Sequence, residues 1–221
     1  MSGGAPLPGC QCVAGLSAVV LCGGRSLRFG GEKGLALFRG VPLVARALAR
    51  LDQISADVWI STNQPDLYRH LGRPMVADRQ EGCGPLGGVQ AALAAARNPL
   101  LAVLSCDMPF ASAALLRYLY LCQGAGPWDA IVPARSPAPG AGAAGPPQCE
   151  PLHAVYSRAC LPAIEAALRQ GERRVISFFP RVRLRWVAES EWLPVAEAGD
   201  QVFANINTAE ELSRLEHLPW A

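Results

Sequence analysis

Apolar positions along this chain follow two alternating patterns, short continuous runs and longer stretches with apolar residues three and four apart. The run Val13 to Val20 predicts a first buried strand, and the segment leaving it, Leu21-Cys22-Gly23-Gly24-Arg25-Ser26-Leu27-Arg28-Phe29-Gly30-Gly31-Glu32-Lys33, predicts a loop before a helix. Pro42 suits a first helical turn, and Leu43, Val44, Ala47, Leu48 and Leu51 then repeat as a stripe that can lie on a sheet. Val58 to Ser61 predicts the next strand, and a further short strand ends at Asp78. A Gly/Pro loop from Glu81 to Gly88 follows, and Val89 to Arg97 predicts an alanine-rich helix. Leu100 to Ser105 is a buried strand that delivers Asp107, with a helix over Ala111 to Leu121 behind it. Later come a strand at His153 to Ser157 and a helix through Ile164, Ala167 and Leu168, which Gly171 can end in the left-handed conformation. Asn205-Ile206-Asn207 reads as a strand end with both amides on one face, and Thr208 with Glu211 forms a capping box for the last helix.

Strands alternating with helices imply parallel βαβ units. The expected fold is α/β: a Rossmann-like, open, mostly parallel twisted sheet with helices on both faces. Ligands of such sheets bind outside the carboxyl ends of the strands. Gly23 to Lys33, Asn63, Asp78, Gly84 to Gly88 and Asp107 all fall at such ends. Residues 1–13 are expected to be loosely ordered, and 14–221 to form one domain. Within it, 133–148, dominated by Pro, Gly, Ala and Ser, is expected to be a flexible loop.

The first loop carries phosphate chemistry. Its glycines let backbone N–H groups approach a polyanion, and Arg25, Arg28 and Lys33 supply positive charge. It is neither a Walker loop nor a Gly-x-Gly-x-x-Gly fingerprint, because Lys33 follows Glu32 and precedes Gly34. The glycines alone would equally suit a turn with solvated cations; the clustering of the cations after a strand favours the phosphate site.

Composition narrows the ligand. With 221 residues, 51% hydrophobic and 17% charged, the chain can bury a large core. A net charge of +2 without a long basic block gives no footprint for a nucleic-acid duplex, so the expected ligand is small. The stretch Val13 to Cys22 is too short to span a bilayer, and no Lys or Arg precedes it as in a secretory leader. Most of the eight cysteines are expected as reduced thiols rather than a disulfide framework, and the chain is expected in the cytoplasm or another reducing compartment.

Asp107 lies where a buried strand opens into a loop, which suits Mg²⁺ held by one carboxylate, water and phosphate oxygens; a helix cap is the structural alternative. Asp78 can serve a turn, a base or a ribose, and Asn63 can read a nucleobase edge. The capping box accounts for Thr208 and Glu211 but not for Asn205 and Asn207, which favours a site-lining role for the two asparagines. His70, His153 and His217 read as surface or core histidines.

These residues, together with Gly40-Val41-Pro42-Leu43, Gly84-Pro85-Leu86-Gly87-Gly88, Cys106-Asp107-Met108-Pro109, Glu150-Pro151-Leu152-His153-Ala154-Val155-Tyr156, Gly171-Glu172-Arg173-Arg174-Val175 and Asn205-Ile206-Asn207-Thr208, resemble the molybdenum cofactor guanylyltransferases over nearly the whole chain. The resemblance implies the nucleotide-diphospho-sugar transferase type of fold. It also implies transfer of GMP from GTP to the phosphate of molybdenum-molybdopterin, with release of pyrophosphate, Mg²⁺ as cofactor, and transient contact with molybdoenzymes or their chaperones. It places Lys33, Arg25 and Asp107 in catalysis, Asp107 also on the metal. Leu21, Cys22, Gly23, Gly24, Lys33, Asn63, Asp78 and Asp107 would hold the nucleotide, and Arg173, Arg174, Asn205 and Asn207 would face the pterin. Gly23, where cytidylyl relatives more often carry alanine, favours guanine. The chain departs from the family pattern at Glu32, usually Asp, at Phe29, usually Met, and at Cys22, usually alanine. Rival readings are a cytidylyltransferase for the same cofactor, a sugar-1-phosphate nucleotidyltransferase, and a nucleotide-binding adaptor without chemistry.

Overall fold

The structure, a computed structural model, describes residues 12–23, 31–135 and 147–218. Its strands are β1 (Leu16–Leu21), β2 (Leu37–Phe38), β3 (Val41–Pro42), β4 (Asp57–Ser61), β5 (Met75–Val76), β6 (Leu100–Ser105), β7 (Ala130–Pro133), β8 (His153–Ser157) and β9 (Leu184–Val187). Its helices are α1 (Leu43–Leu51), α2 (Pro65–Tyr68), α3 (Gly84–Ala95), α4 (Ala113–Gln123), α5 (Leu161–Arg169), α6 (Glu189–Trp192) and α7 (Ala209–Glu216).

Strands β1 and β6 are buried at every residue, as their unbroken apolar runs require of a sheet covered on both faces. They pair in parallel, Leu16 opposite Leu100 and Leu21 opposite Ser105. The main sheet has seven strands in the order β5-β4-β1-β6-β8-β7-β9. Strand β8 runs antiparallel to both β6 and β7, while the other pairings are parallel. The expected mostly parallel, open α/β sheet is what the chain adopts. Chain order reverses at β1: β4 and β5 build outward on one side, and β6 lies on the other. The crevice past the ends of β1 and β6 is therefore the topological switch point, where open α/β sheets bind ligands.

Alternation along β1 divides the core. Ala18 and Val20 face a cluster with Val44, Leu48, Ile60, Leu104, Leu116 and Leu119. Val19 and Leu21 face the opposite cluster with Leu86, Val89, Leu93, Val103, Ile164 and Phe178. Each of these Val, Leu, Ile and Phe side chains contributes about 1.5–3 kcal/mol on full burial. The two layers thus hold the crevice loops on a rigid floor.

Several local expectations are corrected. Helix α3 begins at Gly84 rather than Val89, since Pro85 sits in its first turn, where a missing N–H costs nothing. Pro42 ends β3 and precedes α1 instead of opening the helical turn. Helix α4 is capped by Ser112, whose hydroxyl accepts from Leu115 N, so Asp107 is not the cap. No strand forms at 205–207; the 3₁₀ turn Gly199–Phe203 leads into irregular chain, although Thr208 and Glu211 do make the capping box. Pro133 belongs to β7, and Ala134 forms an isolated bridge with Cys149; 136–146, within the expected flexible loop, lie outside the described residues. Val13 N donates to Ile54 O at 2.9 Å, which ties the entry to β1.

The β2–β3 hairpin was not anticipated. Its turn residues Arg39 (φ 50°) and Gly40 (φ 76°) both have positive φ, the geometry that a two-residue hairpin favours. Arg39 N donates to Glu216 Oε1 at 2.6 Å and Nε to Glu216 O at 3.1 Å, tying the hairpin tip to α7. Within the described residues, no helix is long and apolar enough to cross a membrane.

At the far end of the sheet, buried Asp129 accepts from Arg183 N at 3.0 Å, Nε at 2.9 Å and Nη2 at 2.6 Å, securing β9 to β7. The Arg183 hydrogen bonds hold the Asp129 carboxyl below its usual range, against the opposing effect of burial. A depressed folded-state pKa gives stability that is full above the ordinary carboxylate value near 3.8 and is lost as pH falls below it. Asp129→Asn should therefore unfold at lower urea than the wild type at pH 7, with the gap narrowing at pH 3. Urea midpoints at the two pH values provide the check.

Candidate active site

Lys33 opens the 3₁₀ turn Lys33–Leu35, and Asp107 leaves the end of β6, so the switch point brings together residues 74 positions apart. Lys33 Nζ donates to Asp107 Oδ2 at 2.6 Å, and the two side chains are 19% and 15% exposed. Asn207 Oδ1 accepts from the same ammonium at 3.3 Å. The backbone fastens this cluster: Ile206 N donates to Asp107 O at 2.9 Å, and Cys106 N to Leu21 O at 3.2 Å. Glu211 Oε2 in turn accepts from Asn207 N at 2.6 Å.

Asp107 Oδ1 is buried and has no hydrogen-bond partner. A buried carboxylate oxygen without a donor suits a divalent cation. The described residues hold no cluster of three or more His, Cys, Asp or Glu, so protein ligands would be few, with phosphate oxygens and water completing the shell. Glu150 also bears on this region. Burial pushes its carboxyl up; the positive charge of Arg135 opposes the rise and the negative charge of Asp107 adds to it.

A second group lies across β1. Asn63 Nδ2 donates to Asp78 Oδ2 at 3.1 Å, and Asp78 N donates back to Asn63 Oδ1 at 2.9 Å. Burial raises the Asp78 carboxyl, and the Asn63 hydrogen bond partly offsets it. Helix α3 presses on this pair: a Cβ at Gly87 would lie 2.5 Å from Cys83 Cβ and 3.2 Å from Asp78 Cγ, and one at Gly88 would lie 2.8 Å from Ser61 Oγ. The Gly84-Pro85-Leu86-Gly87-Gly88 motif is thus a helix start whose glycines permit close approach to the strand ends, instead of a free loop.

Leu21 and Cys22 are buried at the end of β1, while Gly23 is exposed and has open space around its Cα. The Cys22 thiol is pushed up, first by its hydrogen bond with the Cys106 thiol and then by burial. Gly24, Arg25, Arg28 and Phe29 lie outside the described residues. Asn207, expected with the pterin-side residues, lies beside the Lys33–Asp107 pair. Asn205 is half-buried two residues earlier. Arg173 and Arg174 are exposed, with the Arg173 backbone beside Gly84, and they do not join the ion-pair cluster.

Sequence reasoning missed Tyr68, a fully buried side chain whose hydroxyl donates to Glu32 Oε1 at 2.7 Å. Only the unusual Glu32 hinted that something distant held that carboxylate. The histidine expectation holds: His70 and His217 are exposed, and His153 is fully buried against Phe203, with burial pushing its imidazole down to about 4.

Known proteins resemble this chain in sequence and in fold. The profile of the MobA-like NTP transferase domain matches residues 18–185. The chain is 36% identical over 196 residues to a probable molybdenum cofactor guanylyltransferase of Pelotomaculum thermopropionicum, covering 89% of each. It is 37% identical over 206 residues to the molybdenum cofactor guanylyltransferase of Pseudomonas aeruginosa, covering 91% of this chain and 95% of that one. The solved structure of molybdopterin-guanine dinucleotide biosynthesis protein A from Archaeoglobus fulgidus shares the fold, with a TM-score of 0.75 at 24% identity over 90% of this chain and 96% of the other. With that profile spanning most of the sheet and both strands of the switch point, the chain belongs to the family of MobA-like NTP transferase domains.

Proposed function

We propose that this protein is a molybdenum cofactor guanylyltransferase that moves GMP from GTP to the terminal phosphate of molybdenum-molybdopterin and releases pyrophosphate. The observation that carries the reading is the 2.6 Å Lys33–Asp107 pair at the switch point, where a cation and a half-free carboxylate can meet a triphosphate. Relatives named for this activity, at 36% and 37% identity over nearly their whole length, support it.

In the proposed mechanism the cofactor phosphate attacks the α-phosphorus in line. That phosphate is already ionised, so no general base is required, in keeping with two exposed histidines and one buried in the core. Negative charge grows on the non-bridging oxygens and on the departing pyrophosphate. Lys33 leaves Asp107 for those oxygens and stabilises the transition state more than the ground state. Asn207 orients the ammonium. Asp107, with its unpartnered Oδ1, would hold Mg²⁺, which when bound supplies Lewis-acid neutralisation of the triphosphate. Asn63 and Asp78 hold the nucleoside, and Arg25 adds charge to the phosphates. Arg173, Arg174 and Asn205 face the pterin. We place this work in the cytoplasm, where the product passes to a molybdoenzyme or its chaperone; Cys22, Cys83, Cys106, Cys122, Cys149 and Cys160 are free thiols, while Cys12 is disulfide-bonded.

Lys33→Ala is expected to slow turnover roughly 10²-fold, the cost of one preorganised charge. Asp107→Asn is expected to abolish pyrophosphate release and its dependence on added magnesium. Coupled phosphate release with purified protein measures both; binding of GTP without turnover in the wild type would identify an adaptor instead. Supplied with molybdenum-molybdopterin and each Mg-nucleoside triphosphate in turn, the wild type is expected to give the guanine dinucleotide by mass spectrometry. A cytosine product would overturn the guanyl assignment.

A further inference from the structure

Lys33 can meet a phosphate promptly only if its backbone is held, since a free lysine stem loses much rotamer entropy on being fixed. The turn that carries it is closed by Leu35 N donating to Glu32 O and Ala36 N to Lys33 O, both at 3.1 Å. Two hydrogen bonds of this kind do not by themselves immobilise a turn. Glu32 stands at the start of the turn, yet its side chain does not cap it. The carboxylate reaches away instead, accepting from Tyr68 Oη at 2.7 Å and from Gln64 Nε2 at 3.4 Å.

The same hydroxyl touches the other flank of Lys33. A Cβ on Gly34 would lie 2.5 Å from Tyr68 Oη and 3.3 Å from the ring, so Gly34 lies directly against Tyr68. Tyr68 itself is among the largest fully buried side chains, packed in the cluster that contains Val20, Cys22 and Ile60. It is therefore a fixed post, and the residues on either side of Lys33 rest on it.

We infer that Tyr68 is a positioning residue for Lys33: its hydroxyl, anchored in the core and hydrogen-bonded to Glu32, sets the turn that aims Lys33 at Asp107. Burial, reinforced by Cys22 and Glu32, holds the phenol far above its ordinary value, so it stays a donor throughout the working pH range. The kinetic arm of the test rests on the transferase reading above; the exchange arm does not.

Tyr68→Phe removes the hydroxyl alone. It is expected to lower kcat about tenfold with KM for GTP within about twofold, the size of one charge-assisted hydrogen bond acting on the transition state. Amide hydrogen exchange over Lys33 to Ala36 is expected to quicken about tenfold while the β1 and β6 amides stay protected. Glu32→Ala, which leaves the core untouched, should reproduce both effects. Glu32→Gln keeps an acceptor for the phenol and should restore most of kcat. In a Lys33→Ala background, Tyr68→Phe should cost nothing further, because its effect passes through the lysine. Unchanged exchange over Lys33 to Ala36 in both Tyr68→Phe and Glu32→Ala would overturn the inference. So would an undiminished kcat loss in the Lys33→Ala background. A wild type that transfers no nucleotidyl group would remove the transferase reading and leave the exchange result to decide the role of Tyr68.

Discussion

The ion pair of Lys33 with Asp107 is the constraint around which this molecule is arranged. Its two ends come from loops at neighbouring strand ends, and both side chains are less than one-fifth exposed. A pair in that setting recovers little net stability, because withdrawing each charge from water offsets most of the Coulomb attraction. Moreover, one Asp107 oxygen is left without a donor, which adds to the cost. An arrangement with so little stabilising return fits the role proposed for it, a cation and an anion held ready for a ligand that separates them.

Holding that arrangement falls to close approaches at small residues and to buried polar contacts. Gly34 lets its turn lie on Tyr68, and Gly87 and Gly88 let α3 approach Asp78 and Ser61 more closely than any side chain would permit. Buried Ser112 both caps α4 and accepts from Glu197 N at 3.4 Å, adding a tie behind Asp107. The apolar layers provide most of the folding free energy, whereas these contacts decide where the polar atoms point.

Much of this was legible in the sequence where the local pattern determines structure. Leu100–Ser105 and His153–Ser157 were read with their observed limits, because strands covered on both faces must be apolar throughout. The Thr208–Glu211 box and Gly171, at φ 81°, were equally local signals. Where tertiary contacts decide, reading failed. The hairpin at Arg39-Gly40 is only four paired residues, too short for any periodicity, and is held in part by α7. Asn205 to Asn207 alternates like a strand, yet Ile206 bonds to the Asp107 loop and leaves the sheet ladder unjoined. Tyr68 ends a four-residue helix and carries no local mark of its role. Its meaning lies in a contact with Glu32, 36 residues away.

The hydrogen bond from Ile206 N to Asp107 O has a temporal consequence. Ribosomes make the glycine loop and the strand bearing Asp107 long before they reach residue 206, and domains assemble as their parts become available. An emerging chain of two hundred residues would hold the sheet's central strands but lack the strap across the aspartate and the amide beside the lysine. The cluster around Lys33 and Asp107 is therefore completed only once residues 206 and 207 have been made.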